Sequence, residues 1–190
     1  MLTKFVRLFC VICVLTATVN QSRVQAQILE AAYCEWDDQF DEWKLAINED
    51  EYVFAVRQFG QNPYRRWNLE FVNLNEEEVR GFMQLKREGD INYWDFFFGD
   101  EQISISTIYR GDIFLWKISD GEKSFTFSAS DQFGTEWVDR YEKDIDWSMY
   151  QVQEGDMRDW YIDEATGSNL SFAFRIAARL LIIELMTFGV

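Results

Sequence analysis

Apolar and polar residues alternate along most of the chain, in short runs that keep one constant phase. The run at 67–71 reads Trp-Asn-Leu-Glu-Phe, and equivalent runs begin at Trp43, Trp94 and Phe114. A period of two with a constant apolar phase is typical of β-strands in a sheet with one buried face. The pattern therefore predicts an antiparallel sheet whose tryptophans share that face. Phe54 and Val56 are expected to face the same way.

Turn residues fall between these runs. Asp120 and Gly121 form a strong two-residue hairpin signal, and Gly89, Gly99 and Gly111 each precede an aspartate. The pattern predicts neighbouring strands at 43–47, 52–59, 64–72, 78–86, 91–98, 102–109, 113–119 and 123–129, with a ninth at 135–141. This is an antiparallel up-and-down meander of eight or nine strands. A sheet of that size is expected to curl or to close into a barrel.

Two segments interrupt the alternation. Residues 36–43 are acidic and aromatic and predict a short helix or turn that leads into the sheet. Residues 142–166 are rich in acidic side chains and predict a loop or a mixed excursion.

The C-terminal segment follows a helical period instead. It predicts a helix at 168–188 with a broad apolar stripe. Arg175, Arg179 and Glu184 argue against a membrane span, because each charge costs roughly 2.5–3.5 kcal/mol at mid-bilayer on insertion scales. The predicted fold class is therefore mainly β with one C-terminal α-helix, which packs on the tryptophan face of a curled or barrel-like sheet.

The first residues have the features of an export signal. Two basic residues lie in the first seven positions, an apolar run follows at 8–19, and 24–26 resembles a small-residue cleavage site. The apolar run is too short to span a bilayer comfortably as a helix. The sequence predicts a signal peptide at 1–26, a single domain at 27–190, and a secreted or periplasmic location. An N-terminal anchor that is not cleaved is the alternative.

The chain is strongly acidic. It holds 18 Lys and Arg against 33 Asp and Glu, a net charge of −15. Removal of the leader would take three basic residues and no acid, which leaves a net charge of −18. This charge disfavours nucleic acid and anionic lipid head groups as partners, since both require positive charge on the protein. It favours cationic partners or ions.

The residue types available for catalysis are few. The chain has no histidine, which excludes a Ser-His-Asp arrangement and the commonest zinc ligand. Cys34 is the one cysteine beyond the leader, and it is either buried or free to form an intermolecular disulfide. No phosphate-binding loop or calcium loop is found. We therefore predict no catalytic residues, no metal and no cofactor. A hydrolase that uses only carboxylates, drawn from Asp95, Glu70 and Asp139, is the remaining enzymatic alternative.

One apolar stripe is predicted on the outer face of the sheet. Opposite to the tryptophans we expect a ligand or partner surface formed by Phe82, Tyr93, Asp95, Phe97 and Leu115. Flat exposed aromatic rings would also suit sugar binding. The alternative is that residues 142–166 cover this stripe.

Together these features predict an exported, acidic, non-catalytic binding or interaction protein of the periplasm or cell surface. Its expected partner is an unidentified protein or a small apolar ligand, with no nucleic acid and no membrane span in the mature chain. A carrier that holds a small apolar ligand inside a β-barrel is the alternative outside enzymology.

Overall fold

The computed structural model describes residues 28–36, 39–58, 64–72, 78–140, 147–164 and 170–188. Within these ranges the chain forms twelve strands and one helix. The strands are β1 (Ala31–Trp36), β2 (Gln39–Ala46), β3 (Tyr52–Gln58), β4 (Arg66–Val72), β5 (Val79–Leu85), β6 (Tyr93–Phe98), β7 (Glu101–Thr107), β8 (Leu115–Ser119), β9 (Ser124–Ala129), β10 (Glu136–Asp139), β11 (Trp147–Gln151) and β12 (Asp159–Glu164). The helix, α1, spans Phe172–Phe188.

The twelve strands form one closed antiparallel barrel. Each strand pairs with its neighbours in the chain, and β1 pairs with β12 to close the ring. At the closure, Ala32 on β1 lies opposite Trp160 on β12. The prediction of a curled or barrel-like meander with a C-terminal helix is confirmed, although the strand number exceeds the eight or nine expected.

Three strands are additional: β1, which lies almost wholly before 36–43, and β11 and β12, which lie in the segment 142–166 that was expected to be irregular. Of residues 36–43, the described ones belong to the end of β1 and to β2, and the described part of 142–166 contributes β11 and β12. In β12, Trp160, Ile162 and Glu164 are buried, whereas the residues between them are exposed. The alternation was hard to recognise because one inward position carries a carboxylate. Its burial depends on partners from α1, which the strand's own sequence does not indicate.

The inward phase of β3 also differs from the prediction. Val53 and Ala55 are buried in the core, and Phe54 and Val56 lie on the outer face. All four residues are apolar, so the local pattern does not fix the phase, and a shift of one residue exchanges the two faces. Ala55 lies opposite the buried Trp43, so a small inward side chain meets a large one.

Helix α1 runs through the interior of the barrel. Every residue from 172 to 185 is buried, including those on opposite sides of the helix. A helix lying on one outer face of a sheet would keep a solvent-exposed side, so complete burial places α1 in the lumen. At its start, the ring of Phe172 meets Phe71 and Phe98 edge-on, and at its end Phe188 meets Trp67. The lumen is thus packed with side chains.

The barrel has two distinct ends. Because neighbouring strands are antiparallel, every link from an odd-numbered to an even-numbered strand lies at one end. We call this end the aromatic pole, and its described links are 64–65, 86–92, 108–114, 130–135 and 152–158. The links from even to odd strands form the opposite end, the acidic pole, described at 47–51, 78, 99–100, 120–123 and 140. Helix α1 ends at the aromatic pole.

Three links of the aromatic pole share the six-residue pattern Gly-Asp-x-x-x-Trp, at 89–94, 111–116 and 155–160. Each glycine has φ between 68° and 85°, a conformation that other residues rarely adopt. The aspartate Oδ1 accepts the backbone N–H two residues later. The indole Nε1–H of the tryptophan donates to the carbonyl three residues earlier, over 2.6–3.0 Å. The pattern thus closes the turn and also satisfies a buried indole.

Candidate functional site

A groove with a volume of about 570 Å³ crosses the outer face of β3, β4, β5 and β6. Its central row is apolar except at one position: Val56 lies opposite Asn68, Asn68 opposite Phe82, and Phe82 opposite Phe97. Charged and polar side chains flank this row on both sides. The groove is lined by Phe54, Val56, Arg66, Asn68, Leu69, Glu70, Arg80, Gly81, Phe82, Phe97 and Gly99.

A glycine allows two strands to approach closely beside the groove. A Cβ on Gly81 would collide with the carbonyl oxygen of Phe97 on the neighbouring strand. Backbone atoms cannot move aside as a flexible side chain can, so only glycine fits here. The local sequence of β5 therefore brings Phe82 and Phe97 together.

The core of the groove is an aromatic pair with a guanidinium above it. The rings of Phe82 and Phe97 lie 4.7 Å apart and are tilted by 32°. The guanidinium of Arg66 lies 4.0 Å above the ring of Phe82, within the range of cation–π attraction. Its Nε and Nη1 donate to the side-chain oxygens of Asn68 and Gln84, at 3.1 and 3.2 Å. The Arg66 guanidinium is therefore held by two neutral amides. No described carboxylate forms an ion pair with it.

The predicted surface residues are only partly brought together. Phe82 and Phe97 form the aromatic pair, and Asp95 and Tyr93 follow Phe97 along the same outer face of β6. The Nζ of Lys86 lies 3.3 Å from Oδ1 of Asp95, and the guanidinium of Arg87 lies 5.6 Å from the ring of Tyr93. Leu115 lies on β8, half-buried opposite Ser128 of β9 and outside the groove.

Two of the three candidate carboxylates, Glu70 and Asp95, are not placed as a catalytic pair. Glu70, Asp95 and Asp139 lie on β4, β6 and β10. With strands about 4.8 Å apart and a rise of about 3.3 Å per residue, the Cα atoms of Glu70 and Asp95 are separated by roughly 16 Å. The two carboxyl groups of a glycoside hydrolase lie at most about 9.5 Å apart.

Residues 142–166 do not cover the groove where the structure describes them. Residues 147–151 and 159–164 are strands of the barrel wall, and Trp147 and Trp160 point into the lumen. The described part of 142–166 therefore leaves the apolar outer stripe uncovered.

Sequence reasoning missed the contribution of β3 and β4 to this site. Val56 was expected in the core, and Arg66 and Asn68 were not singled out. The available signal was the polar phase of β4, since Arg66, Asn68 and Glu70 alternate with Trp67 and Leu69. Only the cross-strand register shows that these side chains flank the two phenylalanines.

Two buried ionic clusters hold α1 inside the lumen. Near its start, Glu164 of β12 accepts from Arg175 at 2.7 Å and from Arg179 at 2.8 Å, with all three side chains at most 3% exposed. Burial lowers the pKa of Arg179 to about 10, an effect that the charge of Glu164 partly offsets. Near the helix end, Glu184 accepts from Trp67 Nε1 at 2.8 Å, and the guanidinium of Arg57 lies 3.0 Å away.

Cys34 lies in the barrel wall and is half-buried. Its Sγ lies within hydrogen-bonding distance of two backbone carbonyls, those of Trp36 and Gln39, at 3.1 and 3.0 Å. Burial raises the pKa of this thiol above its ordinary value, which disfavours the reactive thiolate.

Two features are absent from the described residues. No group of three or more Cys, Asp or Glu side chains is arranged to hold a metal ion. In the same ranges, no helix combines the length and apolarity that a bilayer crossing requires.

Comparison with known proteins gives no relative: no protein family, no curated protein and no solved structure matches this chain.

Proposed function

We propose that this is an exported, non-catalytic binding protein that takes its ligand on the outer surface of the barrel, in the groove over β3–β6. The observation that carries the proposal is the Phe82–Phe97 pair beneath the guanidinium of Arg66. These two aromatic rings on the outer wall can contact a ligand, and the packing of the barrel does not require them. They lie on the face opposite to the core.

The outer face is favoured over the lumen for a physical reason. A carrier of the barrel type needs an internal cavity, and here the fourteen buried residues at 172–185 occupy the interior. A ligand could enter only if α1 were displaced, which would expose its apolar side chains and the charges of Arg175 and Arg179.

The groove favours recognition by side chains. Because β1 pairs with β12, the barrel has no free strand edge to which an extended peptide could add. A ligand in the groove would instead stack on Phe82 and Phe97 and meet the guanidinium of Arg66. The ligand that fits this arrangement best is a flat aromatic or apolar molecule that carries an anionic group.

The proposal can be tested with 1-anilinonaphthalene-8-sulfonate, an aromatic sulfonate that becomes fluorescent in apolar sites. We expect one saturable site, whose affinity falls at least about tenfold (about 1.4 kcal/mol) in the Phe82→Ala, Phe97→Ala double variant. Arg66→Met should weaken binding of the sulfonate but not of uncharged anilinonaphthalene.

The chain offers a matched control. Tyr150 and Tyr161 form a second cross-strand aromatic pair on the outer wall, with ring centroids 5.3 Å apart. A Tyr150→Ala, Tyr161→Ala variant should bind the probe as the parent does. Equal loss in both double variants, or no loss in the groove variant, would reject the groove as the binding site.

A further inference from the structure

The exposed apolar residues of the described chain are concentrated at one end of the barrel. Ten large apolar side chains are exposed, and each lies in a link of the aromatic pole or in the adjoining ends of the strands. They are Trp36, Tyr64, Tyr93, Ile108, Tyr109, Phe114, Phe133, Tyr150, Val152 and Tyr161. None lies at the acidic pole. A distribution this one-sided indicates that the aromatic pole contacts something other than water.

The ten side chains are not equally exposed. The most exposed are Tyr109, Phe133 and Val152, at 67%, 67% and 66%, and they lie in the links themselves. Tyr150 and Tyr161 lie further up the wall and are less exposed, at 38% and 47%. Such an arrangement matches a lipid–water interface. The side chains in the links would reach the apolar layer, and Tyr150 and Tyr161 would lie at the level of the head groups, where Tyr and Trp are enriched.

Aspartate side chains satisfy part of the backbone of these links. In four of them an aspartate side chain accepts backbone N–H groups that water would otherwise satisfy: Asp90, Asp112, Asp131 and Asp156. Hydrogen bonding to backbone N–H groups, and to the Thr135 hydroxyl, helps to lower the pKa of Asp131, although burial opposes this. Internally satisfied backbone groups remove much of the cost of entering a medium of low dielectric constant.

Exposed charges differ between the two poles. In the described links of the aromatic pole, the exposed charged residues are Lys86, Arg87, Glu88, Arg110 and Glu154, a net charge of +1, and the half-buried Arg65, Asp90, Asp112, Asp131, Asp156 and Arg158 bring the net charge of these links to −1. The acidic pole exposes six acids against two bases: Glu49, Asp50, Glu78, Asp100, Asp120 and Glu122 against Lys123 and Arg140. A surface that disfavours negative charge would therefore orient the barrel so that the aromatic pole faces that surface and the acidic pole faces away from it.

We propose that the aromatic pole docks on the lipid–water interface of a bilayer with neutral head groups, with the exposed side chains of Tyr109, Phe133 and Val152 inserted and the acidic pole facing water. These side chains belong to separate links around a ring, so a rigid partner or a second copy would touch them only at isolated points. A fluid lipid layer can surround each of them separately. This inference is independent of the groove, and neither surface requires the other.

Flotation with phosphatidylcholine vesicles provides the test. We expect the full chain to float with the vesicles and to remain bound at high salt, because apolar burial supplies the affinity. A Tyr109→Ser, Phe133→Ser, Val152→Ser variant should bind at least about tenfold more weakly, since affinity scales with the apolar area buried. Tyr52→Ser, at the start of β3 beside the acidic pole, is the matched control and should bind as the parent does. Unchanged melting temperatures will show that the variants are folded.

The position of Trp36 gives a second measurement. Trp36 is the exposed tryptophan of the chain, and the other seven are buried. Vesicles with brominated acyl chains should quench its emission, and Trp36→Phe should remove most of that quenching. The proposal is overturned if the protein does not float or if floating requires anionic lipid and is lost at high salt. It is equally overturned if the parent self-associates without lipid while the triple variant does not, since the pole would then be an interface between copies.

Discussion

A chain that ends at residue 164 should not fold. Removal of α1 leaves the seven inward-facing tryptophans of the wall around an empty lumen. Each fully buried Leu, Ile or Phe of the helix contributes about 1.5–3 kcal/mol, and the total stability of a domain is only about 5–15 kcal/mol. Loss of the helix therefore exceeds the stability available. We expect insoluble protein, or a soluble form without near-ultraviolet circular dichroism and with strong binding of apolar dyes.

A chain that ends at Phe188 is the control, because it keeps every described residue of the helix, and it should melt as the full chain does. A truncation at residue 164 that is monomeric, cooperative in urea and has native tryptophan emission would show that the barrel stands without its helix. That result would remove the packing argument for this fold.

Replacement of Glu164 by glutamine should lower the free energy of unfolding by about 3–5 kcal/mol, because it leaves two buried guanidinium groups without their shared carboxylate. The change is nearly isosteric, so lost volume does not explain such an effect. The shift in the urea midpoint, at an unchanged slope, measures it. Glu70→Gln, on the exposed outer face of β4, is the matched control and should change stability by less than about 0.5 kcal/mol.

The same site distinguishes charge pairing from packing. A triple variant, Glu164→Leu with Arg175→Met and Arg179→Met, replaces the cluster with apolar groups of similar length. It should recover most of the stability lost in Glu164→Gln, since a buried ion pair often adds no more than a well-packed apolar group. If Glu164→Gln unfolds at the same urea concentration as the parent, the cluster is not a buried ion pair.

The face on which the tryptophans lie could be predicted from the sequence, because the alternation of apolar and polar residues within a single strand is enough to assign it. Trp43, Trp67, Trp94, Trp116 and Trp137 are all buried on the inner face, as their parity indicates. The closure of the barrel could not be predicted in this way. It depends on the pairing of β1 with β12, which lie at opposite ends of the domain. The inward position of Glu164 is explained only by Arg175 and Arg179 of α1, a tertiary contact.

The candidate site was predictable only in part for a similar reason. Phe82 and Phe97 are recognisable as outward apolar residues within their own strands. Arg66 lies beside Phe82 only because of the way β4 pairs with β5, which the sequence of β4 alone does not indicate. Val56 lies in an apolar run, in which the inward and outward positions cannot be told apart. Leu115 also points outward, but it lies on β8 and outside the groove. The alternation along a strand predicts which face of the sheet a residue lies on, and it does not predict which strands lie beside it.

The position of α1 inside the barrel is the claim on which the rest depends, and cysteine labelling tests it directly. In a Cys34→Ser background, Ala173→Cys and Ala178→Cys place thiols about 140° apart around the helix. Both alanines are at most 1% exposed, and Ser130→Cys in an exposed link is the reference. We predict that both helix thiols react with a maleimide only on unfolding, whereas the reference reacts at once. Rapid labelling of either helix thiol in the folded protein would place that side of the helix in solvent and contradict the structure.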